Sequence, residues 1–348
     1  MVCADSNKQH VAQQEKVARM KKTQVVYALI ANPQNLFLYE IWASVYSLRL
    51  YDKEREVRVC CDAPTAEYIK QCKEFMQLIT EVVVVPVPEE YDTKLRSREI
   101  KTSVRQHVKG SFLFVDTDTI FADAIDDIDS FDGDIAAVLE YHLALQDSPY
   151  RHAVVDRIRS TFDIDMTTAN VNWLNSGVMY VSDSEVAYRF YEQWRENWRY
   201  SALKKNNSQD MPAMTKTNID FGGIIKELPG EYNSQVCMSM RYFHKARITH
   251  FMHMFFPKDQ SFNPFQDKSI YKEMAQEGLS PRIADKIRNV KSIYDTPTTV
   301  VGWKTMHFLS SPVEQIFEQI YYDGGIASAL LLRVARVLEW IHKHTKKS

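Results

Sequence analysis

The chain has 348 residues, 45% of them hydrophobic, and 43 Lys+Arg nearly balance 45 Asp+Glu. This is enough apolar material for one large domain or one domain with an appendage, and the even charge leaves no global field for a polyanion, so no nucleic acid is expected as a partner. Five cysteines without regular spacing, two of them adjacent at Cys60 and Cys61, fit reduced thiols and a cytoplasmic location better than a disulfide framework.

Residues 1–23 are polar and lack the apolar core of a signal peptide. No later stretch is long and uncharged enough to span a bilayer, so a soluble protein with at most weak peripheral membrane contact is expected. From Gln24 the chain alternates. Apolar, β-rich runs at Val25–Ile30, Val57–Cys61, Val82–Val87, Phe112–Val115 and Ile135–Leu139 are separated by helical patterns at Leu36–Leu50, Thr65–Leu78 and Arg98–Lys109. This order predicts an α/β sheet with crossover helices. The run "VVVVPV" suits a strand covered on both faces, with its prolines marking the exit. Asn32 followed by Pro33 reads as a cap and first turn, so a crossover helix is expected to start there. Further on, Val178–Val181 and Arg247–Phe251 read as short strands. Glu185–Tyr200 reads as a helix whose "YEQWRENWRY" aromatics form a core stripe. The expected domains are a tail (1–23), an α/β domain (24–256) and a mainly helical appendage (257–348). The appendage ends in an amphipathic helix at Ile326–His342, suited to packing on the sheet domain or to resting on an anionic membrane surface.

The chemistry concentrates in residues 111–121, "SFLFVDTDTIF". Positions two apart on a strand point the same way, so Asp116 and Asp118 share one side while Thr117 faces the other. Two close carboxylates repel unless a cation lies between them. Hard oxygen ligands suit Mg²⁺ or Mn²⁺, ions that keep positions open for substrate phosphates; a solvated acidic turn would give the same pattern. Ligands of open parallel sheets lie beyond the carboxyl ends of the strands, where the Asn32 turn and the Asp116 pair both belong. With 10 glycines there is no Gly-x-Gly-x-x-Gly and no Gly-x-x-x-x-Gly-Lys, and the His250/His253 pair lacks partners at zinc spacing.

"FVDTDTI" resembles the first motif of haloacid-dehalogenase-like phosphatases, which would make Asp116 a nucleophile and Asp118 an acid/base. That family places its motif near the start of the domain and adds an acidic pair far downstream, whereas three strands precede Asp116 here. From Val25 to His250 the motif order is similar to that of family-eight-like glycosyltransferases of the GT-A fold. The matching segments are "VYSLR", "SREIKTSVRQHVKGSFLFVDTDTIF", "LNSGVMYVS", "NSQDMPAM", "LPGEYN" and "ARITHF". This resemblance implies a GT-A-type mixed, mostly parallel sheet with flanking helices. It also implies a metal-dependent transferase that moves a hexosyl group from a nucleotide-sugar donor, a UDP-sugar, to a glycan, lipid or protein acceptor. Carried over by position, Asp116, Asp118 and His250 would hold Mn²⁺ or Mg²⁺, with His253 as a rival third ligand. Asn32, Asn35, Arg98, Lys101, Glu140, Asn175 and Gly177 would contact the donor, and Gln209 and Asp210 would be catalytic, although Ser208 replaces the first acid of that motif. A sugar-nucleotide-binding protein without turnover would carry the same metal set.

Overall fold

A computed structural model describes residues 22–148, 150–166, 171–252, 264–292, 307, 311–323 and 325–345. Its strands are β1 (Gln24–Leu29), β2 (Val57–Cys61), β3 (Glu81–Val84), β4 (Phe112–Val115), β5 (Thr119–Phe121), β6 (Ile135–Leu139), β7 (Leu174–Val181), β8 (Lys226–Glu227), β9 (Ser234–Gln235) and β10 (Ile248–His250). Seven of them form one sheet in the order β3-β2-β1-β4-β7-β6-β8, and β5, β10 and β9 form a second, smaller sheet. Within the large sheet β7 runs antiparallel to both neighbours and every other pairing is parallel. The α/β sheet is the one the alternating runs predict, and its mixed, mostly parallel course is the one the resemblance implies.

The helices that flank it differ in detail from the sequence reading. Helix α1 (Phe37–Tyr51) starts four residues after Pro33. The Asn32 side chain accepts from the Gln34 N–H, which makes a local turn, and Asn32 caps no helix. The pattern at Thr65–Leu78 breaks into α2 (Ala63–Ile69) and α3 (Lys73–Met76), the first capped by Asp62. Helix α4 (Thr93–His107) begins earlier than expected because the Asp92 carboxylate accepts from the Leu95 N–H and caps it. The valine run is no covered central strand: β3 lies at the open edge of the sheet, Val84 is 51% exposed, and pairing ends before Pro86 and Pro88.

After α5 (Arg151–Phe162), α6 (Glu185–Lys204) carries the aromatic stripe, and Tyr191, Trp194 and Trp198 are fully buried, as their spacing predicts. Burying each indole contributes about 4–6 kcal/mol of gross transfer free energy, an upper bound. Both indoles also reach the chain where α7 (Asp210–Asp220) begins: Trp194 Nε1 donates to the Asp210 carbonyl at 3.1 Å and Trp198 Nε1 to the Ser208 carbonyl at 3.2 Å. Buried Glu99 on α4 accepts from Arg195 and Arg199 on α6, which locks the two helices together. The core stripe therefore fixes the height of Asp210 above the sheet.

Helices α8 (Ser269–Glu277) and α9 (Pro281–Arg288) belong to the same compact unit, which ends at Ile293. The expected boundary at 256/257 lies outside the described residues. A second unit begins at Tyr294, and its described elements include α10 (Pro312–Asp323) and α11 (Gly325–Thr345). The two helices meet through Ser328, whose hydroxyl donates to the Tyr321 carbonyl. Among the described residues no helix is long and apolar enough to cross a membrane.

Candidate functional site

Strand β4 ends at Val115, and the next residue is pinned to the antiparallel neighbour: Asp116 N–H donates to the Gly177 carbonyl at 2.7 Å. The chain then turns tightly into β5, with the Thr119 hydroxyl donating to the Asp116 carbonyl. Strand β10 pairs antiparallel with β5 so that His250 lies opposite Thr119, and the Phe251 N–H donates to the Asp118 carbonyl. Residues 132 positions apart thereby meet: His250 Nε2 is 3.1 Å from Asp118 Oδ1. Asp116, Asp118 and His250 each offer one ligand atom, all within 4.8 Å of one another.

Electrostatics make this a place where a cation is wanted. Burial pushes the Asp116 carboxyl above its usual range, the charge of Asp118 pushes the same way, and Lys101 opposes both without cancelling them. Burial favours neutral His250, but the charge and hydrogen bond of Asp118 outweigh it and raise its pKa. Two carboxylates with one imidazole are a donor set that fits Mn²⁺ or Mg²⁺. His253 lies outside the described residues.

A second cluster of charge stands beside the first. Lys101 is 2% exposed and its ammonium lies 3.1 Å from Asp116 Oδ1, 3.0 Å from Asp210 Oδ2 and 3.2 Å from the Ser176 hydroxyl. Arg98, one turn earlier on α4, lies 3.4 Å from Asp210 Oδ1. Burial works against the Asp210 charge, but Lys101 and Arg98 prevail and hold its carboxyl well below the usual range. In this arrangement Asp210 anchors two cations. Gln209 beside it is exposed, with its side-chain oxygen accepting from Arg157 at 2.8 Å.

The remaining candidates separate into two groups. Glu140 and Asn175 are buried and joined, Asn175 Nδ2 donating to Glu140 Oε2 at 2.6 Å; burial raises the Glu140 pKa. The Asn175 side-chain oxygen accepts from the Gly177 N–H at 2.8 Å and from Asn233 Nδ2 at 2.7 Å. What approaches Gly177 closely is His250: a Cβ built there would stand 2.9 Å from His250 Nδ1, 2.8 Å from Asn175 Oδ1 and closer still to His250 Cε1. Asn32 and Asn35 cap the turn after β1, the Asn35 side chain accepting from the Phe37 N–H.

A cavity of about 400 Å³ opens on this edge, lined by Phe37, Glu40, Lys94, Arg98, Asp116 and Asp118 among others. Three residues in or beside the site escape motif matching. Ser176 bridges Lys101 and Asp210, yet its motif marks only the residues on either side. Lys94 sits one turn before Arg98, a spacing visible in the sequence once the helix start is known. Asn233 ends the "LPGEYN" segment and touches His250, for which only its place in that segment gave a signal.

No protein-family model and no curated protein matches the sequence. Among solved structures the chain is similar to the glycosyltransferase GlyE of Streptococcus pneumoniae, at 15% identity and TM-score 0.48 over 76% of this chain and 63% of that one. It is also similar to mouse xyloside xylosyltransferase 1, at 13% identity and TM-score 0.46 over 68% of this chain and all of that one. A third likeness is to the galactosyltransferase LgtC solved with donor and acceptor sugar analogs, at 12% identity and TM-score 0.47 over 73% and 95% of the two chains. The chain thus spans less than two-thirds of the GlyE structure's length. At this level of likeness the functional reading rests on the chain's own residues.

Proposed function

We propose that the protein is a metal-dependent glycosyltransferase that takes its sugar from a nucleoside-diphosphate donor, a UDP-sugar, with Mn²⁺ or Mg²⁺ at Asp116, Asp118 and His250. The observation that carries the reading is this convergence of two carboxylates and an imidazole at the mouth of a cavity whose wall also holds Arg98 and Lys94. Its volume falls within the range of small-ligand sites. When bound, the divalent cation would neutralise the diphosphate as negative charge builds on the departing group.

The chain's own side chains would do the rest. Arg98, half-buried and fixed through Asp210, presents guanidinium N–H donors to a phosphate or sugar hydroxyl. Lys101 shares its charge between Asp116 and Asp210, which opposes the burial of the first metal ligand and steadies it at the cavity. Gln209, exposed next to Asp210 with its side-chain oxygen on Arg157, would be the polar group that serves the reacting sugar. Glu140 and Asn175, buried and outside the cavity lining, would contact the donor only by supporting the residues in front of them. The acceptor, whether glycan, lipid or protein, would enter on the Gln209 side, and the cytoplasmic, at most weakly membrane-associated location belongs to the same proposal.

Incubation with UDP-sugars and Mn²⁺ tests this directly, because water can substitute for the acceptor hydroxyl and release UDP slowly. Asp118→Asn should abolish both metal-dependent UDP binding and this release. If UDP- and GDP-sugars neither bind nor turn over while a phosphomonoester is hydrolysed and an acyl-phosphate is trapped on Asp116, the site is a phosphatase. Metal-dependent UDP binding with no turnover of any donor would identify a binding protein.

A further inference from the structure

We propose that Asn233 is a positioning residue that holds His250 as its Nδ1–H tautomer, leaving the Nε2 lone pair for the divalent cation. This inference rests on the metal reading above and extends it to how the imidazole is prepared. The side-chain oxygen of Asn233 lies 3.0 Å from His250 Nδ1, on the ring edge opposite the one that faces Asp118. An oxygen there accepts, so a proton sits on Nδ1; the Asp118 oxygen beside Nε2 is also an acceptor, and its place on that edge is the one the cation would take over.

The orientation of that amide is not arbitrary. Asn233 Nδ2 donates at 2.7 Å to Asn175 Oδ1, and that atom must be oxygen because the backbone N–H of Gly177 also donates to it at 2.8 Å. The other end of the Asn175 amide donates to the Glu140 carboxylate. One backbone N–H and one carboxylate therefore fix two successive amides, and the polarity runs in one direction from Glu140 to the ring of His250. Reversing either amide would place two donors or two acceptors face to face. Asn233, Asn175, Glu140 and His250 are all at least 95% buried, so water is in no position to replace these bonds.

The main chain of Asn233 is clamped as well. Its carbonyl accepts from His142 Nε2 at 2.8 Å, and His142 and its neighbour Tyr141 sit at φ of 54° and 60°, a region that side chains of this size rarely adopt. The turn after Glu140 thus grips the backbone of Asn233 while Asn175 grips its side chain. On this reading Glu140 anchors the chain of hydrogen bonds that ends at the ligand.

Long-range proton–nitrogen correlation NMR on labelled wild-type protein, without metal at alkaline pH and again with saturating Mg²⁺, should show His250 protonated on Nδ1. A ring protonated only on Nε2 in either state overturns the inference. By Mn²⁺ titration calorimetry without nucleotide, Asn233→Leu should weaken binding roughly 10- to 100-fold, the usual effect of removing a partner that orients a metal ligand. Asn233→Asp, which keeps an acceptor at Nδ1, should lose less. Folded Asn233→Leu with wild-type affinity would also overturn it. Should that variant fail to fold, the tautomer of the wild-type ring decides alone. Wild-type protein that binds no Mn²⁺ refutes the metal reading and leaves the tautomer measurement to judge the role of Asn233 separately.

Discussion

Replacing Gly177 with alanine separates two roles that this residue can have. A Cβ at 177 would lie 2.9 Å from His250 Nδ1, and ordinary contact starts near 3.4 Å, so the ring must retreat by about 0.5 Å there and by more at Cε1. The ring is buried and bonded on both edges, at 3.0 Å to Asn233 and 3.1 Å to Asp118, so any retreat costs at least one of those bonds. The same Cβ would press on Asn175 Oδ1, which links Asn233 to Gly177 itself. Overpacking of this kind typically costs about 1–3 kcal/mol of stability, a melting-temperature loss of roughly 2–4 °C per kcal/mol in a domain of this class. Displacing a ligand imidazole should cost roughly 10- to 100-fold in Mn²⁺ affinity. Thermal unfolding and Mn²⁺ calorimetry, both without nucleotide, measure these quantities. If Gly177→Ala binds Mn²⁺ as wild type does and loses only donor affinity, then the glycine serves the sugar and the packing argument is wrong.

Other perturbations test neighbouring parts of the site. Asp210→Asn leaves buried Lys101 and half-buried Arg98 beside a neutral amide and should cost about 3–5 kcal/mol in denaturant unfolding; a loss under 1 kcal/mol would mean the cations find other partners. The depressed native pKa of Asp210 makes its contribution fully present above about pH 4 and lost as pH falls through the native value, so Asp210→Asn should flatten the acid side of the stability–pH curve. His250→Ala should reduce Mn²⁺ affinity by roughly 10-fold or more while the far-ultraviolet circular dichroism stays native; unchanged affinity would remove His250 from the ligand set. Mn²⁺ at 100 times its dissociation constant should stabilise the wild type by about 2.7 kcal/mol, and chelation or Asp118→Asn should abolish that gain.

Much of this arrangement is legible in the sequence, for identifiable reasons. Strands β2, β4 and β6 coincide with their apolar runs because central strands bury both faces and leave an uninterrupted signal. Strand β3 carries the same valine signature at an edge, so composition alone does not distinguish the two positions. The Asp116/Asp118 pair is visible because period-two geometry is local. His250 needed the motif order, since it reaches Asp118 only through pairing between β5 and β10. The Lys101–Asp210–Ser176 cluster is not legible in the sequence, because it joins α4, α7 and β7 across long stretches of chain. An Asn-Pro pair suits a side-chain-bonded turn as well as a helix start, and Asn32 forms the turn.

The antiparallel course of β7 has a consequence for how the protein opens. Asn175, Ser176 and Gly177 belong to the first half of that strand, yet they meet the end of β4 at the sheet's carboxyl edge because the two strands run in opposite directions, with Val115 paired to Val178. No local segment contains the cation ligands together with their supports, and fraying at that junction would pull Gly177 away from Asp116 and His250 at once. Loading with Mg²⁺ should therefore slow amide hydrogen exchange along the whole of β4 and β7, including residues several positions from any ligand, as expected for one cooperative unit. The edge strand β3 has no such connection, and its exchange should stay close to that of the metal-free protein.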